Sequence, residues 1–271
     1  MATKKATSKT TAITKWDEKF AGYAKQGKEQ IKNIGVSGTS ISFGRGKVTV
    51  GDKEYKGPIE VIIVGYCAMN AWYDGPYDPK EKTPPACYAF SQIFDDDEMA
   101  PHKAVLAANR QADKCAECEK NQFGSATTGP GKACGNRVRL GMLLASDVKD
   151  GETAAKCEMA VGSVSPTNLK RFRKYIDTLE EDHGRPSWGV VTEIESLDDD
   201  ENQIRLEFKI VDKLEDDEII EAVEKRFLKV QDALQTPYSA AVAKDKKKPS
   251  NVGKNSKFAG KGETKKPAGK R

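Results

Sequence analysis

Apolar residues recur along this chain with two different periods. Positions 16, 20, 23, 24, 31 and 34 are spaced as on one face of a helix, which Gly22 and Gly27 weaken. From residue 35 the pattern changes to short β-branched runs, Ile41 to Phe43, Lys47 to Val50 and Ile59 to Val64, separated by glycine turns such as Gly51-Asp52. This is the signature of antiparallel strands. The run from Ile59 to Tyr73 is long for one strand and predicts a bulge or bend near Gly65, the device by which small barrels turn a corner. A Pro/Asp/Lys-rich loop over 74–86 precedes a strand at Cys87 to Phe90, a short helix over 102–113 and a compact loop over 114–136. Arg137 to Leu144 and Glu158 to Val161 read as strands. Ser165-Pro166 is a helix start, with Ser as N-cap and Pro at the first helical position, and Leu169, Phe172, Tyr175, Ile176 and Leu179 continue the helix to 181. Trp188 to Ile194 and Ile204 to Val211 predict a hairpin around the acidic turn Asp198-Asp-Asp-Glu201, and a last helix runs from about 214 to 234. The predicted class is mostly β with flanking helices (α+β).

Charge divides the chain more sharply than its total of +4 indicates. Residues 1–15 carry four lysines and no acid, and residues 244–271 carry eleven Lys/Arg against two acids, which leaves −9 on residues 16–243. The organisation expected is a disordered basic arm at 1–15, one globular domain at 16–238 and a disordered basic tail at 239–271. Beyond Tyr238 the Lys/Gly/Pro/Ser composition buries too little apolar surface to offset its ordering entropy. Contact with a polyanion must therefore be local. No apolar run reaches the roughly 18 to 20 residues of a membrane span, and the N-terminus lacks the apolar core of a signal peptide. The expected location is the cytoplasm, that of the host cell if the protein is viral, with no membrane partner.

In a reducing compartment six cysteines are candidate metal ligands before they are disulfides. Cys115-Ala-Glu-Cys118 is a C-x2-C knuckle, and Cys134 follows after fifteen residues, so three thiolates stand at zinc-ligand spacing. For the fourth ligand Cys87 is favoured over His102, giving a closed, structural Zn²⁺ site that braces an insertion at about 84–137. The alternative is that these are reduced, partly buried core thiols. A catalytic zinc keeps a water and uses His or carboxylate ligands, and this chain has only His102 and His183, so metallohydrolase chemistry is not expected. Cys67 and Cys157, within apparent strands, read as small core hydrophobes.

Gly129-Pro-Gly-Lys132 is not a phosphate loop, because Ala126 and Ala133 stand where that motif needs Gly and Ser or Thr. Lys132, Arg137 and Arg139 nevertheless lie beside the cysteine loop, and strand alternation puts the two arginines on one face, where they could meet phosphates. Tyr66, Trp72, Tyr73, Tyr77, Tyr88 and Phe90 fall within 25 residues of a chain that is 7% aromatic. Trp72, Tyr73 and Tyr77 border the polar loop and are the expected exposed members, able to stack on unpaired bases. Lys170, Arg171, Arg173 and Lys174 read as a solvated helix face. Within the acidic runs at 95–98 and 198–201 consecutive carboxylates in a turn point in different directions and repel one another, so a Mg²⁺ nuclease site is not expected.

The motifs Asn70-Ala-Trp-Tyr-Asp-Gly-Pro-Tyr-Asp78, Pro84-Pro-Ala-Cys87, Cys115-x2-Cys118-x2-Asn121-Gln-Phe-Gly-Ser125 and Gly129-Pro-Gly-Lys-Ala-Cys-Gly-Asn-Arg137 resemble a tailed-phage four-cysteine protein family over roughly residues 60–235. The chain is also similar to phage zinc-bearing, OB-fold single-stranded DNA-binding proteins, in which zinc braces an insertion in a small barrel. The resemblance implies an OB-like small barrel with a zinc-braced insertion and a C-terminal helix. Many such proteins end in an acidic tail that recruits replication partners. This chain ends in Lys261-Gly-Glu-Thr-Lys-Lys-Pro-Ala-Gly-Lys-Arg271, which directs the tail to nucleic acid itself. The expectation is a non-catalytic single-stranded DNA-binding protein of phage DNA replication or recombination, with replication and recombination proteins as further partners. Its alternative is an interaction module whose acidic body binds a replication or transcription enzyme while the basic arms tether it to nucleic acid.

Overall fold

A computed structural model describes residues 39–75 and 84–238. The arms, the helix expected over 16–34 and Tyr77 lie outside the described residues.

The centre of the fold is β4 (Ile59–Trp72), a 14-residue strand buried along nearly its whole length. Its near-continuous apolar sequence follows from cover on both faces, as in any strand sandwiched between layers. On one side β4 pairs antiparallel with β6 (Gly135–Leu144), which pairs with β7 (Ala160–Val164). On the other side β8 (Val190–Asp199) pairs with only Ile59 to Val61, and β5 (Cys87–Ser91) pairs with Ala68 to Trp72. β9 (Gln203–Lys213) completes the sheet as the hairpin partner of β8. A smaller sheet holds β1 (Ile41–Gly44), β2 (Lys47–Val50) and β3 (Lys53–Tyr55). Gly46 and Gly51 supply the left-handed backbone of its two turns.

The ladder between β4 and β6 shifts register between Ile63 and Gly65, the irregularity expected near Gly65. Two cores form across the large sheet. One lies under β1, β2 and α2 (Leu169–Glu181), around Val61, Ile63, Leu140, Met142, Phe172 and Leu206. The other lies under α1 (Gly151–Lys156) and α3 (Asp217–Leu234), around Ile62, Val64, Leu143, Trp188, Val223 and Val230. Gly65 and Gly141 face each other across β4 and β6, and Val230 of α3 rests on both.

These elements match the predicted α+β class, but the OB-like barrel is not formed as a closed ring among the described residues. The strand order β7-β6-β4-β8-β9 leaves β7 and β9 unpaired with each other. The smaller sheet spans the opening, joined through a single parallel bridge, Ser40 to Val161, and through the Ser196 hydroxyl, which donates to the Gly44 carbonyl at 2.6 Å. The α2 helix fills the concavity with Phe172, Tyr175 and Leu179, so the side-chain layer is complete without strand closure.

Three local expectations change. Residues 102–113 form only a one-turn 3₁₀ segment, Ala107–Asn109. The loop is tied down by its backbone instead, His102 N–H donating to the Tyr88 carbonyl at 2.8 Å, and the Arg110 guanidinium donating to the Val105 and Lys103 carbonyls. Cys157 caps the C-terminus of α1 and is not in a strand. Ser165 makes no side-chain cap bond, and Pro166–Asn168 is a 3₁₀ turn ahead of α2. There Asn168 is buried and uses its amide on β9, accepting from Leu206 N–H at 2.8 Å and donating to the Ile204 carbonyl at 3.0 Å.

Candidate metal centre and nucleic-acid interface

Backbone pairing brings the four predicted cysteines to one end of the large sheet. Cys87 opens β5 opposite Trp72, the last residue of β4, and Cys134 immediately precedes β6. Between them the loop is folded by its own amides. Cys115 N–H donates to the Met99 carbonyl at 2.7 Å, Asn121 N–H to the Cys118 carbonyl at 2.9 Å, and Cys134 N–H to the Lys120 carbonyl at 2.7 Å. The Asn121 side chain donates to the Cys115 carbonyl at 2.8 Å, and Asn136 donates to both Asn121 and Asn70, fastening the loop to β4 and β6.

Cys87, Cys115, Cys118 and Cys134 line one cavity of about 20 Å³, with Asn70 and Trp72 in its wall. That volume admits one water-sized occupant. All six cysteines are free thiols. Burial raises the thiol pKa of Cys87 and Cys115, and it pushes Cys134 up to about 12, the neighbouring cysteines adding to the rise. Desolvation of an anion is the dominant cause, and a bound cation reverses it. As the side chains stand, no group of three or more His, Cys, Asp or Glu among the described residues is set in the arrangement of a formed metal site. The donor set is nonetheless all thiol, four in number and free of open carboxylates, which suits a soft tetrahedral ion. His102 does not line this cavity. Its ring stacks on Tyr88 at 5.5 Å, and its Nδ1 accepts from Ala104 N–H at 3.2 Å.

Around the cysteine loop, rings and cations pair. Lys120 Nζ stands 5.7 Å from the centroid of the Trp72 ring, and Lys132 Nζ stands 5.1 Å from that of Phe123. Phe123 is 82% exposed and Tyr73 is 45% exposed. Trp72 is half-buried, one side of it walling the cysteine cavity. Lys132 also reaches Asn121 at 3.4 Å, so Phe123, Lys132, Asn121 and Asn136 are contiguous with the end of the sheet. Of the predicted contact residues, Trp72 and Lys132 thus stand at the loop, while Tyr73 and Arg137 lie near Tyr238.

Arg139 departs from the expectation that it lies on an open strand face. It is 9% exposed, donates from Nη1 to the Leu234 carbonyl at 2.8 Å and the Thr236 carbonyl at 3.2 Å, and lies against the rings of Phe90 and Tyr238, 5.1 and 5.2 Å from their centroids. Alternation does put it on the face of Arg137, but the end of α3 covers that face. Tyr66 and Tyr88 are likewise packed, Tyr66 edge-on against Phe172 at 5.3 Å.

No family model, curated protein or solved structure matches the chain.

Phe123, Lys120 and Tyr238 are site residues that sequence reasoning missed. A lone aromatic in a polar glycine-bearing loop has no apolar neighbour to bury it, and that signal was available for Phe123. The two acidic turns are held by other partners. Asp96 accepts from Ser91 and Glu98 N–H, Glu98 pairs with Lys114, and Asp199 accepts from Asn202 and Glu201 N–H. Among the described residues no helix is long and apolar enough to cross a membrane.

Proposed function

We propose that this chain is a non-catalytic single-stranded DNA-binding protein of DNA replication or recombination, related to the tailed-phage proteins it resembles, with an opened OB-like frame. The observation that carries this reading is the pairing of ring and cation at one end of the sheet, Phe123 with Lys132 and Trp72 with Lys120, beside the exposed Tyr73. Aromatic rings offer stacking faces to any unpaired base, worth about 1–3 kcal/mol each, and adjacent lysines neutralise the backbone. In this reading Tyr77 supplies a further ring, and Arg137 and the lysines of the two arms supply further positive charge.

In this proposal Cys87, Cys115, Cys118 and Cys134 hold a structural Zn²⁺. The ion cross-links the loop that presents Phe123 and Lys132 to the strands that present Trp72 and Arg137. A closed four-thiolate site leaves no position for water, so its contribution is folding energy and not chemistry. The −9 charge on residues 16–243 favours a second reading, in which the acidic body binds a replication or transcription enzyme and the arms tether it to nucleic acid.

Fluorescence anisotropy of the full-length chain against a single strand and the matching duplex, across a salt series, separates the two. Single-strand-selective binding with tryptophan quenching is the expected result. Binding without strand preference, and with all affinity lost in moderate salt, supports the second reading. Elemental analysis of the purified protein tests the metal, with one zinc per chain expected and a loss in Cys87→Ala.

A further inference from the structure

Beyond the C-terminal end of α3 the large sheet carries a groove of about 230 Å³, lined among others by Ser40, Met69, Arg139, Val161, Ser163 and Tyr238. Its floor follows from strand register. Val161 N–H donates outward to the Thr39 carbonyl at 2.8 Å, so Val161 forms a non-hydrogen-bonded pair with Gly141. Two residues on, Ser163 faces Arg139 in the same kind of pair, where side chains on one face approach most closely. Arg139 spends Nη1 on the Leu234 and Thr236 carbonyls, and its guanidinium lies against the Phe90 and Tyr238 rings. Among the described residues it has no carboxylate partner, and the Ser163 hydroxyl has no hydrogen-bond partner.

A guanidinium this deeply placed is costly without a counter-charge, and its fork geometry suits a phosphate. The groove is smaller than the pockets that take drug-sized ligands, so it fits one charged group and its immediate attachment. The positions flanking it matter as well. Tyr238, one of its lining residues, is close in sequence to the lysine-rich segment 244–271, which carries +9.

We propose that this groove is an anion subsite for one phosphodiester of a bound single strand, whose charge pairs with the Arg139 guanidinium and whose oxygen accepts from the Ser163 hydroxyl. The inference rests on the single-strand reading and adds to it a second contact point, beside the end of α3.

The test uses the full-length chain and a labelled oligo-dT. Arg139→Gln also loses the bonds that fasten the end of α3, so the informative variant is Ser163→Asp, which supplies Arg139 with a carboxylate while keeping both carbonyl contacts. Ser163→Asn is its uncharged control. Ser163→Asp is expected to bind roughly tenfold more weakly, with a salt dependence shallower by about one phosphate, while Ser163→Asn stays within about threefold of wild type. In the unmodified chain, oligo-dT is expected to shift the Gly162 and Ser163 amide resonances, a readout that does not depend on how either variant folds. Unshifted amides, or Ser163→Asp binding like wild type with the same salt slope, overturn the subsite and leave the single-strand reading standing. Failure of the unmodified chain to bind oligo-dT at all overturns that reading and the subsite with it.

Discussion

Adding one methyl group at Gly65 tests how α3 is seated on the sheet. The backbone there is not left-handed, so only contact opposes a side chain. A Cβ at Gly65 stands 2.5 Å from Val230 Cγ1 and 3.3 Å from Gln231 Nε2. Carbon atoms are at ease at about 3.5–4.0 Å, so the helix must retreat by about 1 Å or Val230 must leave its rotamer. Valine in a helix has essentially one χ1 well, so the second route is closed. Retreat also strains the Arg139 bonds to the Leu234 and Thr236 carbonyls. Overpacking of this kind costs about 1–3 kcal/mol, and alanine recovers about 0.4–1 kcal/mol through the unfolded chain, so Gly65→Ala is expected to lose roughly 1–2 kcal/mol. Urea unfolding reads this as a lower midpoint at unchanged m. Val230→Ala removes the opposing methyls, so the double variant is expected to cost less than the sum of the single ones. A Gly65→Ala protein as stable as wild type, or full additivity with Val230→Ala, would refute this account of the α3 seat.

Phe123→Ala is expected to leave the melting temperature unchanged, because the ring is 82% exposed, while weakening single-strand affinity by about 1–3 kcal/mol in a salt-matched titration. Burial raises the Tyr66 and Tyr175 phenols from 10.0 to about 12, so their contribution to stability is complete below pH 10 and is lost as pH rises through 12. Phenolate absorbance followed together with circular dichroism is expected to show these two tyrosines titrating only as the fold is lost; smooth titration in a folded protein would contradict the burial. If the proposed zinc is bound, a chelator is expected to accelerate amide exchange across 115–134 first, leaving the paired amides of β4 and β6 protected; exchange unchanged by the chelator would contradict the proposed ion.

Elements whose signal is local were legible in the sequence. The β8 and β9 hairpin, the long α2 stripe and the irregularity at Gly65 each follow from period or from a single glycine. Cys115 and Cys118 were legible as neighbours from their C-x2-C spacing, Cys134 from the Gly/Thr-rich segment that returns to them, and Cys87 from the strand leading into the loop; all four line one cavity. What failed was long-range. Strand alternation put Arg139 on the right face, but nothing in its own neighbourhood announces that the last turn of α3, about 95 residues away, covers that face. Barrel closure is likewise decided by whether the first and last strands meet, and here a three-stranded sheet and a helix occupy the place where they would. The 102–113 segment has helical composition, yet backbone bonds to Tyr88 and Met99 hold it and its flank as a series of turns. A short isolated helix could not outweigh those ties.

In the proposed function the folded body, and not only the basic arms, recognises unpaired bases. The most direct measurement is anisotropy of the full-length chain and of a Trp72→Ala, Tyr73→Ala, Phe123→Ala triple variant with a labelled single strand and its duplex at one salt concentration. With both arms intact, the variant is expected to fall to the affinity that the wild type shows for duplex, losing its strand preference. A triple variant that keeps the wild-type preference for single strands would contradict the account.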